Sequence, residues 1–196
     1  MRKFQEMCQE EFGKIELMAR GGQKIVFDGV HNSYGETVIK LYFQLNDPRS
    51  IREIQIEKGL SLSMVPKIYE TGIIEYEGTE TLYIIEQKVK GTELRKVLES
   101  GRRFSLEEAV IFLEQGLEFI SCIENKGIVH RDIKPENIIR ADDGKIFFLD
   151  FGIARVLGAD SLTRTGAMMG PHTPGYAAPE QFNNLKREID SRADIF

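Results

Sequence analysis

The sequence predicts an α+β fold in two parts, a strand-rich part that ends near residue 90 and a mainly helical part from residue 91 to residue 196. Three observations predict this division. Short apolar runs separated by turn residues fill the first part, helical spacing of apolar residues begins after residue 100, and a strand–turn–strand pattern follows that helix. The first part is therefore expected to form an antiparallel sheet with one helix.

Four short apolar runs predict the strands of the first part. They lie at residues 25–27, 37–39, 73–74 and 82–85. Turn-forming segments at residues 32–35 and 76–79 join these strands in pairs. A helical segment from about Ser50 to Leu60 interrupts the strands.

A capping box opens the long helix of the second part. Ser105 and Glu108 stand three residues apart, so each side chain can satisfy a free backbone N–H group of the first helical turn. Apolar residues then recur at alternating spacings of three and four, which predicts one buried stripe. The stripe consists of Leu106, Val110, Leu113, Leu117, Ile120 and Ile123. Gly127 is the predicted helix terminator.

A β-hairpin is predicted just before Asp150. Two apolar runs flank the pair Asp143–Gly144, and Asp-Gly is a strong signal for a two-residue hairpin loop. With that loop, Ile139 would face Phe148 and Asn137 would face Asp150. The register would bring an amide oxygen and a carboxylate to one end of the ribbon, where they suit a magnesium ion that carries phosphate oxygens.

Composition narrows the classes of function. The net charge of −5 and the pI near 5.4 argue against nucleic acid as a partner. No run of about 18 apolar residues exists, so no membrane segment is expected in this chain, and the N-terminus lacks a secretory signal pattern. Two cysteines far apart in sequence suit a reducing compartment. A cytoplasmic protein is therefore expected.

Residues 130–137 have the sequence His-Arg-Asp-Ile-Lys-Pro-Glu-Asn, and Asp150-Phe151-Gly152 follows the predicted hairpin. These segments resemble the catalytic loop and the metal-binding motif of bacterial-type serine/threonine protein kinases. The resemblance implies a kinase-like bilobal fold, with an N-lobe at 1–90 and a C-lobe at 91–196. Because complete kinase domains continue for several more helices, the chain is expected to be C-terminally truncated and its C-lobe incomplete.

The resemblance also assigns roles to the residues of this loop. Asp132 is expected to orient the hydroxyl of the substrate, and Lys134 is expected to steady the γ-phosphate of ATP. Asn137 and Asp150 are the expected Mg²⁺ ligands. Asp194, near the end of the chain, is expected to anchor the backbone of the catalytic loop.

Lys40 matches the strand lysine that binds the nucleotide phosphates in this family. Its partner should be a helical glutamate, and both Glu53 and Glu57 are available one turn apart. Counting back from residues 65–69, which resemble the turn into the next strand, favours Glu53. That choice leaves Glu57 where the family usually has an apolar residue.

The remaining nucleotide-binding residues are also implied by the resemblance. Gly21, Gly22 and Val26 mark a phosphate-covering loop that lacks the first and third glycines of the family pattern. Glu86 stands where the family has the residue that guards the inner adenine pocket. The other residues expected around adenine and ribose are Val38, Val89, Glu93 and Ile139. For each apolar residue of this set, an ordinary core position remains the alternative.

The segment after residue 152 resembles an activation segment. Thr163 and Thr165 resemble the paired threonines that are autophosphorylated in bacterial kinases, and Arg131 could pair with such a phosphate; the alternative is an unmodified polar loop. Residues 173–181 resemble the end of the segment, preceded by a two-residue insertion. A protein substrate is implied, and a homodimer could support autophosphorylation.

Two functions remain open at the level of sequence. The first is a serine/threonine protein kinase regulated by autophosphorylation. The second is a nucleotide-binding or docking module without turnover, because the domain is expected to be truncated and its glycine-rich loop is degenerate.

Overall fold

The computed structural model divides into two compact units. It describes residues 2–45, 48–60, 62–151, 154–156, 173, 175–185 and 187–196. The first unit contains Met1–Ser50 and Pro66–Lys88, and the second contains Ile51–Val65 and Val89–Phe196. The helical segment expected in the first part thus belongs mainly to the second unit. The predicted α+β class, with an antiparallel sheet and helices, is confirmed.

The first unit is a five-stranded antiparallel sheet with an N-terminal helix. Its elements are α1 (Phe4–Glu11), β1 (Phe12–Arg20), β2 (Lys24–His31), β3 (Gly35–Tyr42), β4 (Ile68–Tyr76) and β5 (Thr79–Gln87). The strand order is β1-β2-β3-β5-β4, so each predicted apolar run lies in a strand. Only Phe4 and Met7 of α1 are buried, which is too few residues to define a stripe, and α1 was not predicted.

Successive side chains along each strand point to opposite faces of this sheet, and the two faces have different roles. One face packs against α1 and forms the core of the unit. That core consists of Phe4, Met7, Phe12, Ile25, Phe27, Ile39, Leu41, Ile74, Tyr83 and Ile85. The opposite face carries Val26, Val38 and Lys40, because Val26 pairs with Lys40 across β2 and β3 and Val38 lies two residues from Lys40.

The second unit combines helices with short strands. Its helices are α2 (Pro48–Leu60, from Ile51 on), α3 (Leu94–Glu99), α4 (Leu106–Glu124) and α5 (Pro179–Phe182). Its strands are β6 (Gly91–Glu93), β7 (Ile128–Val129), β8 (Ile138–Ala141), β9 (Ile146–Phe148) and β10 (Arg155–Val156). They form a three-stranded sheet in the order β6-β8-β9 and a two-stranded ribbon of β7 and β10.

An aromatic stack lies at the centre of the core of the second unit. The rings of Phe119 and Phe148 are parallel, with centroids 3.8 Å apart, and Phe151 lies beside Phe119. Ile56 and Leu60 of α2 belong to the same cluster. The core therefore joins α4, β9 and the residue that follows Asp150, so it holds the segments around the predicted site.

The long helix α4 has the predicted capping box, but the predicted stripe is buried only at its C-terminal end. The Glu108 N–H donates to the Ser105 hydroxyl, and the Ser105 N–H donates to the Glu108 carboxylate, both at 3.1 Å. The first four stripe residues are exposed, however, with Leu106 at 84% and Leu113 at 59%. The last two stripe residues, Ile120 and Ile123, are buried as predicted. They are joined in the core by Phe119, which is not part of the stripe, and Phe112 packs against the same core.

The first four residues of the predicted stripe are exposed because α4 is apolar on more than one face. Period alone identifies residues that share a face, but it does not identify the face that meets the core. Among the described residues, no helix is both long and apolar enough to cross a membrane.

The hairpin of β8 and β9 forms, but in a different register from the predicted one. Its loop has three residues, 142–144, and Gly144 adopts a φ of +86°. Ile139 therefore pairs with Phe147 instead of Phe148. A three-residue loop with glycine in the left-handed region is a common alternative to the two-residue Asp-Gly loop.

The shift by one residue also contradicts the predicted pairing of Asn137 with Asp150. The Leu149 N–H donates to the Asn137 carbonyl oxygen at 2.8 Å, so Leu149 is the residue opposite Asn137. Strand β9 ends at Phe148, and Asp150 leaves the strand with a φ of +64°. A turn conformation, instead of strand pairing, therefore sets the direction of Asp150.

Candidate active site

Asp132 is the centre of a hydrogen-bonded cluster in the second unit. Its Oδ2 atom lies 2.8 Å from Lys134 Nζ and accepts a bond of 2.8 Å from Asn137 Nδ2. Its Oδ1 atom accepts a bond of 2.7 Å from the Thr173 hydroxyl. Lys134 and Asn137, which are predicted catalytic and metal-binding residues, thus both contact the carboxylate of the predicted catalytic Asp132.

Thr173 is a member of this cluster that motif comparison did not mark as a site residue. Its hydroxyl donates to Asp132 and accepts a hydrogen bond from Lys134 Nζ, also at 2.7 Å. The threonine lies 41 residues after Asp132, so no local pattern connects them. Its only sequence signal is its position at the start of the segment that resembles the end of an activation segment.

Asp194 anchors the backbone that carries Asp132, as predicted. Its two carboxylate oxygens accept the N–H groups of His130 and Arg131, each at 2.7 Å. Arg131 has a φ of +71°, a strained conformation for a residue with a side chain, and the two bonds hold the backbone at this point. Burial raises the pKa of the Asp194 carboxyl, while His130 and the two N–H donors oppose that rise.

His130 supports the loop from inside the core. It is fully buried beside Phe151, with ring centroids 4.6 Å apart, and its Nδ1 atom accepts the Asp132 N–H at 3.3 Å. Burial lowers the pKa of His130, so the imidazole is held in its neutral form. Buried Gln181 of α5 donates to the carbonyl oxygen of Arg131 at 2.6 Å. The backbone that leads into Asp132 is thus held by the side chains of His130, Asp194 and Gln181.

Asn137 and Asp150 supply the oxygen atoms predicted to hold Mg²⁺. Asn137 is buried, and both of its side-chain bonds to Asp132 use the amide nitrogen, which leaves the amide oxygen as the available ligand atom. In the part of the chain that the structure describes, no group of three His, Cys, Asp or Glu side chains could hold a metal ion. Mg²⁺ needs fewer protein ligands because it keeps water and phosphate oxygens, so these two residues suit it chemically.

Lys40 is buried on the face of the first-unit sheet that also carries Val26 and Val38. Its Nζ atom forms an ion pair of 2.9 Å with Glu86 Oε2 on β5. Val26 and Val38 are half-buried on the same face. Three predicted nucleotide-binding residues thus share a surface with a carboxylate.

Gly21 and Gly22 lie in the exposed turn between β1 and β2. The Gly21 N–H donates to the Lys24 carbonyl oxygen at 2.9 Å and closes the turn. Both glycines are exposed, and a Cβ atom at Gly22 would meet nothing within 4 Å. The turn is consistent with the predicted loop, whose contact with phosphates stays a prediction.

The second unit carries the other predicted nucleotide-binding residues. Glu93 of β6 pairs with Ile139 of β8, so two residues 46 positions apart in sequence are neighbours. Val89, the first residue of the longer segment of the unit, is half-buried. Gly91 makes the strand pairing possible, because a Cβ atom there would lie 2.3 Å from the carbonyl oxygen of Arg140.

Glu53, the predicted partner of Lys40, lies in α2 and is buried, as is Glu57 one turn later. Both belong to the second unit, whereas Lys40 belongs to the first. The pairing of Lys40 with Glu53 therefore stays a prediction.

A second polar cluster joins α3 to the catalytic loop. Arg95 Nη2 forms an ion pair of 2.7 Å with Glu136 Oε1 and donates to the Tyr176 hydroxyl at 2.9 Å. The Glu136 carboxylate beside Arg95 has its pKa lowered by hydrogen bonds and charge, although burial opposes this shift. No motif identified Arg95 as part of the site.

Part of the predicted activation segment lies outside the described residues. This applies to Gly152, to the threonines Thr163 and Thr165, and to the two-residue insertion before Thr173. Their predicted roles stay predictions.

Comparison with known proteins agrees with this geometry. The family model described as the protein kinase domain matches residues 12–196. The chain is similar to the probable serine/threonine-protein kinase PknB of Corynebacterium glutamicum, with 32% identity over 92% of the chain. It is also similar to the serine/threonine-protein kinase PknA of Mycobacterium tuberculosis, with 33% identity over 92% of the chain. The aligned regions span only 29% and 43% of these two relatives.

Proposed function

The chain belongs to the protein kinase family, and we propose that it transfers the γ-phosphate of ATP to a serine or threonine hydroxyl of a protein substrate. The family and the names of its relatives support this proposal. Asp132 is the proposed catalytic residue that receives the substrate hydroxyl, and Lys134 is the proposed cation beside the transferred phosphate.

One observation carries the proposal. The hydroxyl of Thr173 lies between Asp132 Oδ1 and Lys134 Nζ, at 2.7 Å from each. A carboxylate and an ammonium group can therefore bind one aliphatic hydroxyl together, which is the functional group of the proposed substrate. In phosphoryl transfer the carboxylate orients the hydroxyl and accepts its proton, while the ammonium group offsets the negative charge of the phosphate.

Asn137 and Asp150 are the residues that would hold Mg²⁺, and Lys40 is the residue that would bind the nucleotide phosphates. A magnesium ion on the phosphate oxygens supplies charge neutralisation. The hydrogen bonds from Asn137 to Asp132 orient the amide oxygen toward that role. Val26, Val38, Val89, Glu93 and Ile139 are proposed to contact the base and the ribose, with Gly21 and Gly22 near the phosphates and Glu53 as the partner of Lys40.

The test is transfer of label from [γ-³²P]ATP to casein and to the chain itself. We expect Asp132→Asn to reduce transfer by at least about a hundredfold, because the amide keeps the shape but cannot accept the proton. The matched control is Asp142→Asn, which makes the same chemical change at an exposed position in the hairpin loop. Equal labelling by the wild type and Asp132→Asn would overturn the catalytic assignment.

The same experiment separates the proposed kinase from a nucleotide-binding module without turnover. A module would bind ATP and transfer no label. The metal assignment has its own readout, since Asp150→Ala should abolish the magnesium dependence of ATP binding in calorimetry. Unchanged dependence on magnesium would remove Asp150 from the metal site.

We propose further that Thr163 or Thr165 is autophosphorylated and that two copies of the chain meet for this reaction. The sequence resemblance supports this, together with Arg131, whose positive charge suits a phosphorylated threonine. Mass spectrometry after incubation with ATP should find phosphate on one of these threonines in the wild type and not in Asp132→Asn. The proposed setting is the cytoplasm, where ATP is available and the two free cysteines stay reduced.

A further inference from the structure

Lys40 and Glu86 form a buried ion pair that the sequence did not predict. Lys40 Nζ and Glu86 Oε2 are 2.9 Å apart, and their side chains are only 10% and 6% exposed. The pair is more buried than the one between Lys134 and Asp132, where the exposures are 18% and 14%. Sequence comparison gave Glu86 a place near the base but no connection to the lysine.

The register of the sheet explains why these two side chains meet. Glu86 of β5 is directly opposite Val38 of β3, and Lys40 lies two residues further along β3 on the same face. The two residues are therefore diagonal cross-strand neighbours, within reach of long side chains. Because β5 lies between β3 and β4, the backbone of Glu86 is held from both sides and the carboxylate stays close to the lysine.

The charges in this pair matter more than those of a surface pair. Water does not screen them, so each charge strongly affects any third charge that approaches. Lysine has three N–H donors and one positive charge. The Glu86 carboxylate occupies one of these donors and offsets positive charge on Lys40, which lowers the net attraction of this lysine for an anion.

We propose that Glu86 is a positioning residue that competes with the nucleotide phosphates for the charge of Lys40 and so weakens the binding of nucleoside triphosphate. This rests on the proposed function, in which Lys40 binds those phosphates. Glu86 holds the ammonium group in place and lowers the affinity that Lys40 would give without this carboxylate. The penalty grows with the negative charge of the ligand.

The test compares three ligands that differ only in phosphate number. ATP, ADP and adenosine are titrated with excess Mg²⁺ into the full chain and its variants by calorimetry. For Glu86→Gln we expect ATP to bind about tenfold more tightly, equivalent to about 1.4 kcal/mol, because the amide keeps the shape and the acceptor oxygen but loses the charge. The gain for ADP is smaller, and adenosine binds within twofold of the wild type.

The matched control is Glu80→Gln, which removes one negative charge from an exposed position on the same strand. It should bind all three ligands as the wild type does. If Glu86→Gln does not fold, Glu86→Asp serves the same purpose, since it keeps the charge but withdraws the carboxylate from Lys40 by one methylene group. It should tighten ATP binding by about two- to threefold.

The outcomes separate this inference from the proposed function. Unchanged or weaker ATP binding by both Glu86 variants would overturn the inference and leave the kinase proposal standing. An equal gain for adenosine would also overturn it, because Glu86 would then act on the base. If the wild type binds none of the three ligands, the proposed function fails and the inference fails with it.

Discussion

Asp194→Ala should destabilise the protein more than any surface substitution. The aspartate is 7% exposed and accepts the backbone N–H groups of His130 and Arg131, each at 2.7 Å. The substitution leaves one buried and one half-buried N–H donor without that acceptor. Each such loss costs about 1–3 kcal/mol. Part of this cost is offset, because burial raises the pKa of Asp194 and its charge is itself unfavourable. We expect a net loss of about 2–4 kcal/mol in the free energy of unfolding.

Urea unfolding followed by far-UV circular dichroism measures this loss. Asp194→Asn should lose less, because its amide oxygen can still accept one of the two N–H groups. Asp142→Ala, at an exposed aspartate, is the matched control and should stay within about 0.5 kcal/mol of the wild type. If Asp194→Ala were as stable as this control, the two hydrogen bonds would not hold the catalytic loop.

Three further predictions concern residues around the site. Thr173→Val removes the hydroxyl that bonds to two charged groups, a contact of about 1.5–3 kcal/mol, and should lower kcat for phosphate transfer at least about tenfold. Gly91→Ala places a methyl group 2.3 Å from a backbone oxygen of β8 and should lower the thermal unfolding midpoint by several degrees. Burial lowers the pKa of His130, so between this lowered pKa and about pH 6.5 the unfolded chain binds up to one more proton than the folded chain. The stability from neutral His130 is complete above that pH and is lost as the pH falls, by at most about 1.4 kcal/mol per pH unit. His130→Asn should remove this part of the pH dependence in urea titrations.

Each of these predictions has a control. Thr173→Ser keeps the hydroxyl and should retain most of the activity. Gly116→Ala, in α4, meets no atom within 4 Å and should be neutral or stabilising. An equal loss of stability in the two alanine variants would mean that the close approach at Gly91 is relieved at no cost. A pH dependence of stability that is identical in wild type and His130→Asn would refute the buried neutral histidine.

Local sequence patterns predicted the parts of the site that lie close together in the chain. The segment with Asp132, Lys134 and Asn137 spans six residues, and its side chains form one hydrogen-bonded cluster, while their catalytic and metal-binding roles stay predictions. The capping box at Ser105 was equally local and is confirmed. The prediction that Asp194 anchors the loop came from resemblance to a family and is confirmed as well.

Other predictions were wrong where the local sequence is compatible with two different structures. The Asp143–Gly144 pair suits a two-residue loop as well as a three-residue loop, and the structure adopts the latter with Gly144 in the left-handed region. The apolar residues of α4 satisfy more than one face, and the structure buries the face with Phe119. In both cases the sequence offers alternatives between which only packing against the rest of the unit decides.

The amino-acid sequence by itself determined the family and the α+β class, and it predicted the chemical groups of the candidate site, because these depend on residue types at short spacings. Tertiary structure alone decided which distant groups meet. In the second unit it brought Thr173 to Asp132, 41 residues earlier in the chain. In the first unit the register of β3 and β5 set Glu86 beside Lys40. Such contacts are decided by the burial and hydrogen bonding of a whole unit, and no short segment of the chain carries that information.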